Sequence, residues 1–181
     1  MLCVFLLSTI SLSAQVWLPP IATAGSADSD DALAVVYDSF GGKYVVGSFH
    51  ASMNFPNLPT MVNLGQDDAF IAHYTAANVT DWSMSIGSVG WDAPFAIDGD
   101  SVGIYVCGYY ENTIIIGTDT LIQNGISIFV MKINIPSHTV AWVRSFESAG
   151  AAYAFGIKRD ASDGILIGGS FHQNLTFGTD T

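Results

Sequence analysis

The side chains able to do chemistry in this sequence are few and mostly acidic. Fourteen aspartates and two glutamates, Glu111 and Glu147, stand against five Lys or Arg and four histidines. The densest group is Asp28, Asp30 and Asp31, three carboxylates within four positions. Clustered oxygen ligands are what Ca2+ requires, provided six or more converge, so these three are the candidate calcium-binding residues. The competing reading is a solvated turn, which aspartate favours on its own account. Asp98-Gly99-Asp100 resembles the opening of a calcium loop, but twelve residues counted from Asp98 end on Tyr109, where such a loop needs a bidentate glutamate.

His50, Glu111 and His172 follow one another at intervals of 61 residues. Three polar groups so spaced could ring one end of a channel and hold a metal; the plainer reading is that a recurring strand leaves its core there. His73 has Lys132 as its counterpart and reads as a solvent-facing strand position. Nucleophilic chemistry finds no support. There is no Gly-x-Ser-x-Gly turn, no glycine-rich phosphate loop, no His-Glu-x-x-His and no Cys-x-x-Cys. Cys107 lies in the apolar run Ile104-Tyr105-Val106-Cys107-Gly108, the setting of a buried, inert thiol. Trp91 and Asp92 are left as a candidate ligand face, with Trp91 a platform for sugar stacking, although a Trp packs between layers as readily. No residue takes a catalytic role, and no cofactor is expected apart from calcium.

The elements that must position these groups repeat. Gly47-Ser48-Phe49-His50 returns as Gly108-Tyr109-Tyr110-Glu111 and as Gly169-Ser170-Phe171-His172, each 61 residues on. Gly117-Thr118-Asp119-Thr120 returns at 178–181 with the same interval. Trp17, Trp82 and Trp142 open similar strings, and Asp31-Ala32 matches Asp92-Ala93. Each unit divides into four strands, in the first about residues 32–38, 43–50, 68–75 and 80–88, bounded by Gly, Asp, Asn or Pro. Segments 38–42, 98–103 and 160–164 carry hairpin chemistry, in which Asp caps the turn and Gly supplies positive φ. No segment has helical periodicity.

Composition narrows the class. Half of the 181 residues are apolar and only 12% are charged, against about 25% in an average domain, which excludes a disordered chain. A net charge of −11, with Lys43, Lys132, Arg144, Lys158 and Arg159 scattered, excludes a nucleic-acid partner. The apolar run 2–10 and the small residues after it have the order of a secretory signal peptide, residues 1–14, although the usual basic residue before the run is missing. A buried first strand is the other reading. Nine apolar residues are too short to span a bilayer and no later stretch approaches the required ~20, so no membrane span is expected. Removal of Cys3 with the signal leaves Cys107 alone, and no internal disulfide can form.

A four-stranded unit repeated at this size is the signature of a β-propeller. The expected fold is therefore all-β, with four-stranded antiparallel blades in an incomplete ring spanning residues 15–181. An orphan outer strand (16–23) precedes a blade at 32–88, a blade at 92–148 and a partial blade at 152–181. The unit has Asp-Ala near its start, Asp and Gly in its turn, an apolar strand ending in Gly-x-aromatic, a Phe-Gly-Thr-type string, Asp-x-Phe-Ile and a late Trp. It resembles the bacterial β-propeller repeat known as SBBP, from about residue 15 to the end. Two departures stand out: Phe55-Pro56-Asn57 replaces Phe-Gly-Thr, and Ala152-Tyr153 replaces Asp-Ala. The resemblance implies a secreted or surface-exposed protein and supplies no catalytic residue.

The functional expectation is a non-catalytic, secreted or cell-surface scaffold that binds an extracellular protein or glycan through loops 24–31, 51–67, 89–92, 111–127 and 149–153. The alternative is part of a propeller-fold lyase or glycosidase whose catalytic carboxylates lie in other blades. Because the sequence opens on a fourth-strand string and stops inside its third unit, missing C-terminal blades of the same protein are expected to close the ring.

Overall fold

A computed structural model of the chain describes residues 24–160, 162 and 164–177. The expected signal peptide, the Trp17 strand and the Gly-Thr-Asp-Thr string at 178–181 lie outside the described residues. Those described form eleven strands and no helix. The first four, β1 (Asp30–Tyr37), β2 (Lys43–Phe49), β3 (Asp68–Tyr74) and β4 (Thr80–Ile86), pair in sequence order as one antiparallel sheet. The next four, β5 (Asp92–Gly99), β6 (Gly103–Ile116), β7 (Asp119–Asn134) and β8 (Val140–Ser148), do the same in a second sheet. Strands β9 (Ala152–Arg159) and β10 (Ile165–Phe171) pair with each other, while the short β11 (Leu175–Phe177) joins the outer edge of β8. The four-stranded unit is thus observed twice in full. No ring closes among the described residues.

Three side-chain devices recur and explain the period. Asp38 Oδ1 accepts the Phe40 and Gly42 amides at 2.8 Å; Asp100 Oδ1 accepts those of Val102 and Gly103, and Asp160 Oδ1 those of Ser162 and Gly164. These caps close each first hairpin, as expected, but among the glycines of those segments only Gly41 takes positive φ. A second device opens strands: Asp30, Asp68 and Asp92 each accept, through Oδ2, the amide four residues back, from Ser26, Leu64 and Ser88. The third is a bulge in every first strand, between Ala32 and Ala34, between Pro94 and Ala96, and opposite Gly168 and Gly169. It throws the first strand's carbonyl against the second. A Cβ on Gly47, Gly108 or Gly169 would collide with the Asp31, Ala93 or Tyr153 carbonyl oxygen respectively, so glycine is required at each.

Register corrects two alignments. Asp30 pairs with Phe49 as Asp92 pairs with Tyr110, so Asp30, not Asp31, is the counterpart of Asp92. The expected loop 111–127 is instead an extension of the β6–β7 hairpin, with Thr113 to Ile116 paired to Asp119 to Ile122. Its run of three isoleucines has the β-branched character that a pleated ladder accommodates.

The sheets are joined the same way each time. Gly25 bonds Asn54, Gly87 bonds Ile115, and β8 pairs with β11 from Ser148–Leu175 to Phe146–Phe177; the second and third of these tie the end of one sheet's fourth strand to the stretch after the next sheet's second strand. Between the first two sheets lies the largest core, including Tyr44, Val46, Ile71, Ile86, Val106 and Phe129. A smaller one, with Tyr105, Cys107, Val130, Ala152 and Ala154, joins the second sheet to β9. Strands β2 and β3 are buried on both faces, which is why they read as near-continuous apolar runs.

Candidate functional site

The bulges place one large apolar side chain out of register in each first strand: Leu33, Phe95 and Phe155. Successive first strands run side by side, and the Phe95 and Phe155 rings meet at 5.4 Å. Tyr109 lies 5.5 Å from Phe95 and 5.3 Å from Tyr153; the Tyr153 and Phe155 rings are nearly coplanar in tilt, 6° apart at 6.0 Å. Together with Trp91 and Glu111 these rings line an open cleft of about 330 Å3. Trp91 is 44% and Phe155 55% exposed, while Phe95, Tyr109 and Tyr153 are half-buried between them. Glu111 stands at its rim, accepting the Trp91 amide at 3.4 Å. Broad apolar rings beside a carboxylate can stack on the C–H face of a sugar while accepting its hydroxyls.

Asp92, expected on this face, is 0% exposed. Its carboxylate accepts the Ser88 and Glu111 amides, and burial, aided by the nearby charges of Asp68 and Glu111, pushes its pKa up to about 7 despite those bonds. Asp68, 1% exposed, is pushed by burial to about 6. Two carboxylates with raised pKa values suit acid–base work in principle. Here no substrate reaches them, because both are enclosed and hold turns.

A second cleft, about 380 Å3, opens at the other ends of the strands. His73 Nδ1 meets Asp81 Oδ1 at 2.6 Å and its Nε2 meets Asp38 Oδ2 at 3.0 Å. Only 8% exposed, His73 is not the solvent-facing residue expected, since the turn at 38–42 and the ring of Tyr44 cover it. Burial raises the Asp38 pKa, but hydrogen bonds from His73 and from the Phe40 and Gly42 amides outweigh it and hold the carboxyl below its ordinary value. One repeat later Lys132 sits over the Tyr105 ring at 5.2 Å, as His73 sits over Tyr44. The position is one for a base packed on tyrosine, and the cleft has no activated nucleophile: burial pushes the Tyr44 phenol to about 12, and the Thr75 hydroxyl accepts the Val79 amide.

The remaining candidates are spread apart. Asp28 is exposed and accepts the Ser29 amide; Asp30 holds Ser26, and Asp31 is an exposed strand residue. His50 pairs with Asp67 at 2.8 Å, Glu111 belongs to the aromatic cleft, and His172 is exposed. Asp98 binds Lys158 Nζ and the Arg159 amide, while Asp100 caps its turn and pairs with Arg159. Among the described residues no three His, Cys, Asp or Glu side chains come together to hold a metal ion. Burial pushes the Cys107 thiol to about 12, consistent with an inert thiol. Also among the described residues, no helix is long and apolar enough to cross a membrane.

The sequence marks Trp91, and the expected binding loops 111–127 and 149–153 take in Glu111 and Tyr153, but Phe95, Tyr109 and Phe155 lie outside them. A bulge adds one residue to a strand and shifts its alternation of faces, so a strict period of two does not place Leu33, Phe95 and Phe155; large apolar residues recurring at 33, 95 and 155 are the available signal. No protein-family model matches the chain, and no curated protein matches it.

Proposed function

We propose that the chain is a non-catalytic segment of a secreted or cell-surface β-propeller, and that it binds an extracellular glycan on the ledge formed by Trp91, Phe95, Tyr109, Tyr153 and Phe155. The ledge is the observation that carries the reading. Four rings in mutual contact, with Phe155 and the neighbouring Trp91 open to solvent, form an apolar surface of the kind that marks a binding site. The propeller assignment is supported by two complete four-stranded meanders, by first strands lying side by side, and by the recurring bond between sheets. The resemblance of the repeat to SBBP units supports an extracellular setting.

A panel of immobilised glycans probed with the full chain tests this. Binding to a defined set is expected, with at least tenfold loss in a Tyr153→Ala, Phe155→Ala double variant whose strand content is unchanged. No retained glycan, or equal retention by the variant, overturns the reading; retention of a protein ligand that the double variant loses would assign the ledge to protein instead.

A further inference from the structure

Strand β10 carries a sequence unlike that of an edge. Ile165-Leu166-Ile167-Gly168-Gly169-Ser170-Phe171 has no charge and no proline, and Leu166 and Phe171 are 66% and 53% exposed. Edge strands are ordinarily guarded by charge, proline or a covering element. Among the described residues β10 pairs with β9 along one edge only. In each preceding sheet the equivalent edge is occupied by a third strand, antiparallel, in a fixed register: Phe70 lies opposite Gly47, and Phe129 opposite Gly108. Gly169 is the third member of that glycine series.

Beside β10 is an apolar groove of about 200 Å3, lined by Ile128, Phe146, Ile167, Phe171, Leu175 and Phe177. One repeat earlier the matching residues are Ala69, Ile86, Val106, Tyr110, Ile114 and Ile116. All six are buried in one cluster together with Phe129. The groove is therefore lined by the counterparts of the residues that cluster with Phe129 one repeat earlier.

We propose that the free edge of β10 binds an extended strand of this repeat's third-strand type, antiparallel, with a phenylalanine opposite Gly169 seated in the groove. The ligand chemistry is that of Asp68–Tyr74 and of residues 127–133: aromatic, then aliphatic, then a polar residue two or three places on. Main-chain hydrogen bonds supply affinity and the aromatic pocket supplies specificity, as in strand addition generally. This inference uses only the register of the sheets and holds whether or not they belong to a closed ring or bind a glycan.

A synthetic peptide of residues 125–134 is the probe, read by amide hydrogen exchange on the full chain. Amides of residues 165–171 are expected to slow at least tenfold at saturation. A peptide with Phe129→Ala should bind at least tenfold more weakly, since an aromatic side chain leaves the groove, and Phe171→Asp in the chain should weaken both. A second format appends the 125–134 sequence to the C-terminus through a flexible linker, and its Tm should exceed that of the chain and of a linker-only control. Unchanged exchange with the peptide together with an unchanged Tm in the fusion overturns the proposal, as does equal binding of the alanine peptide. Protection of 165–171 that appears without peptide and grows with protein concentration would assign the edge to a second copy instead.

Discussion

Tyr44 Oη lies 2.7 Å from His138 Nε2, joining the second strand of the first sheet to the turn between β7 and β8 of the second. Aromatic rings flank the contact at the edge of the second cleft. The Trp82 ring stacks on His138 at 4.6 Å and 16°, and the His73 ring approaches Tyr44 at 4.5 Å. Because burial pushes the Tyr44 phenol to about 12, the hydroxyl keeps its proton and can donate to Nε2. Donation in that sense requires a neutral His138 with its proton on Nδ1; with the proton on Nε2 the imidazole donates to the phenol oxygen instead.

Acid should weaken that junction. Burial lowers the His138 pKa below its ordinary 6.5, and the neighbouring His73 lowers it further against the opposing pull of Asp81. A basic group depressed in the folded state binds more protons unfolded, so its contribution is complete above about pH 6.5 and is lost as pH falls through the folded value. Urea unfolding at pH 7.5 and pH 5.5 should show His138→Gln closing the gap on the parent chain as pH falls. A variant whose deficit is the same at both values would separate His138 from the acid response. Tyr44→Phe should cost about 1 kcal/mol at pH 7.5, the net worth of one hydrogen bond.

Asp92 should act with the opposite sign. Its folded pKa, pushed to about 7 chiefly by burial, lies above the ordinary 3.8. The native state therefore binds the proton more tightly, and stability declines as pH rises from about 4 to about 7. The full effect is on the order of 4 kcal/mol. Asp92→Asn cannot ionise, and its amide group can accept only one of the two backbone N–H bonds that the carboxylate accepts. The variant should be less stable than the parent at pH 4.5 and gain on it toward pH 7.5, which thermal melts across that range would register as converging Tm values.

Much of the architecture was legible in the sequence because its causes are local. Gly47, Gly108 and Gly169 mark the same steric requirement three times, and Asp38, Asp100 and Asp160 cap the same turn, so a self-comparison finds them. The ledge was not legible. Phe95 reaches Phe155 only because a bulge shifts register in both first strands and the sheets then stack side by side, and the recurrence of a large apolar residue at 33, 95 and 155 does not by itself show that these side chains meet. His73 was misread for a related reason: its cover comes from the 38–42 turn and from Tyr44, far from it in sequence. Asp92 was placed on the wrong side of the surface because a buried turn cap and an exposed ligand have the same residue type.

The glycines give the sharpest contrast between positions that look alike. Gly108→Ala should destabilise by about 2 kcal/mol or more, because the new Cβ meets the Ala93 carbonyl oxygen and lies 2.7 Å from Pro94 Cα, and backbone atoms cannot step aside as a flexible side chain does. Gly168 occupies the neighbouring position in the third repeat to Gly169, yet nothing lies within 4 Å of a Cβ built there and its φ is not positive. Gly168→Ala should thus be neutral or stabilise by up to about 1 kcal/mol, since alanine restricts the unfolded chain and suits a strand better. Gly169→Ala should resemble Gly108→Ala, with the Tyr153 carbonyl as the obstacle and the Ala154 Cα 3.1 Å away. Chemical unfolding of the three variants decides the matter. Equal losses at 168 and 169 would mean that the bulge in β9 does not have the register that brings Tyr153 against Gly169, and with it would go the placement of a phenylalanine opposite that glycine.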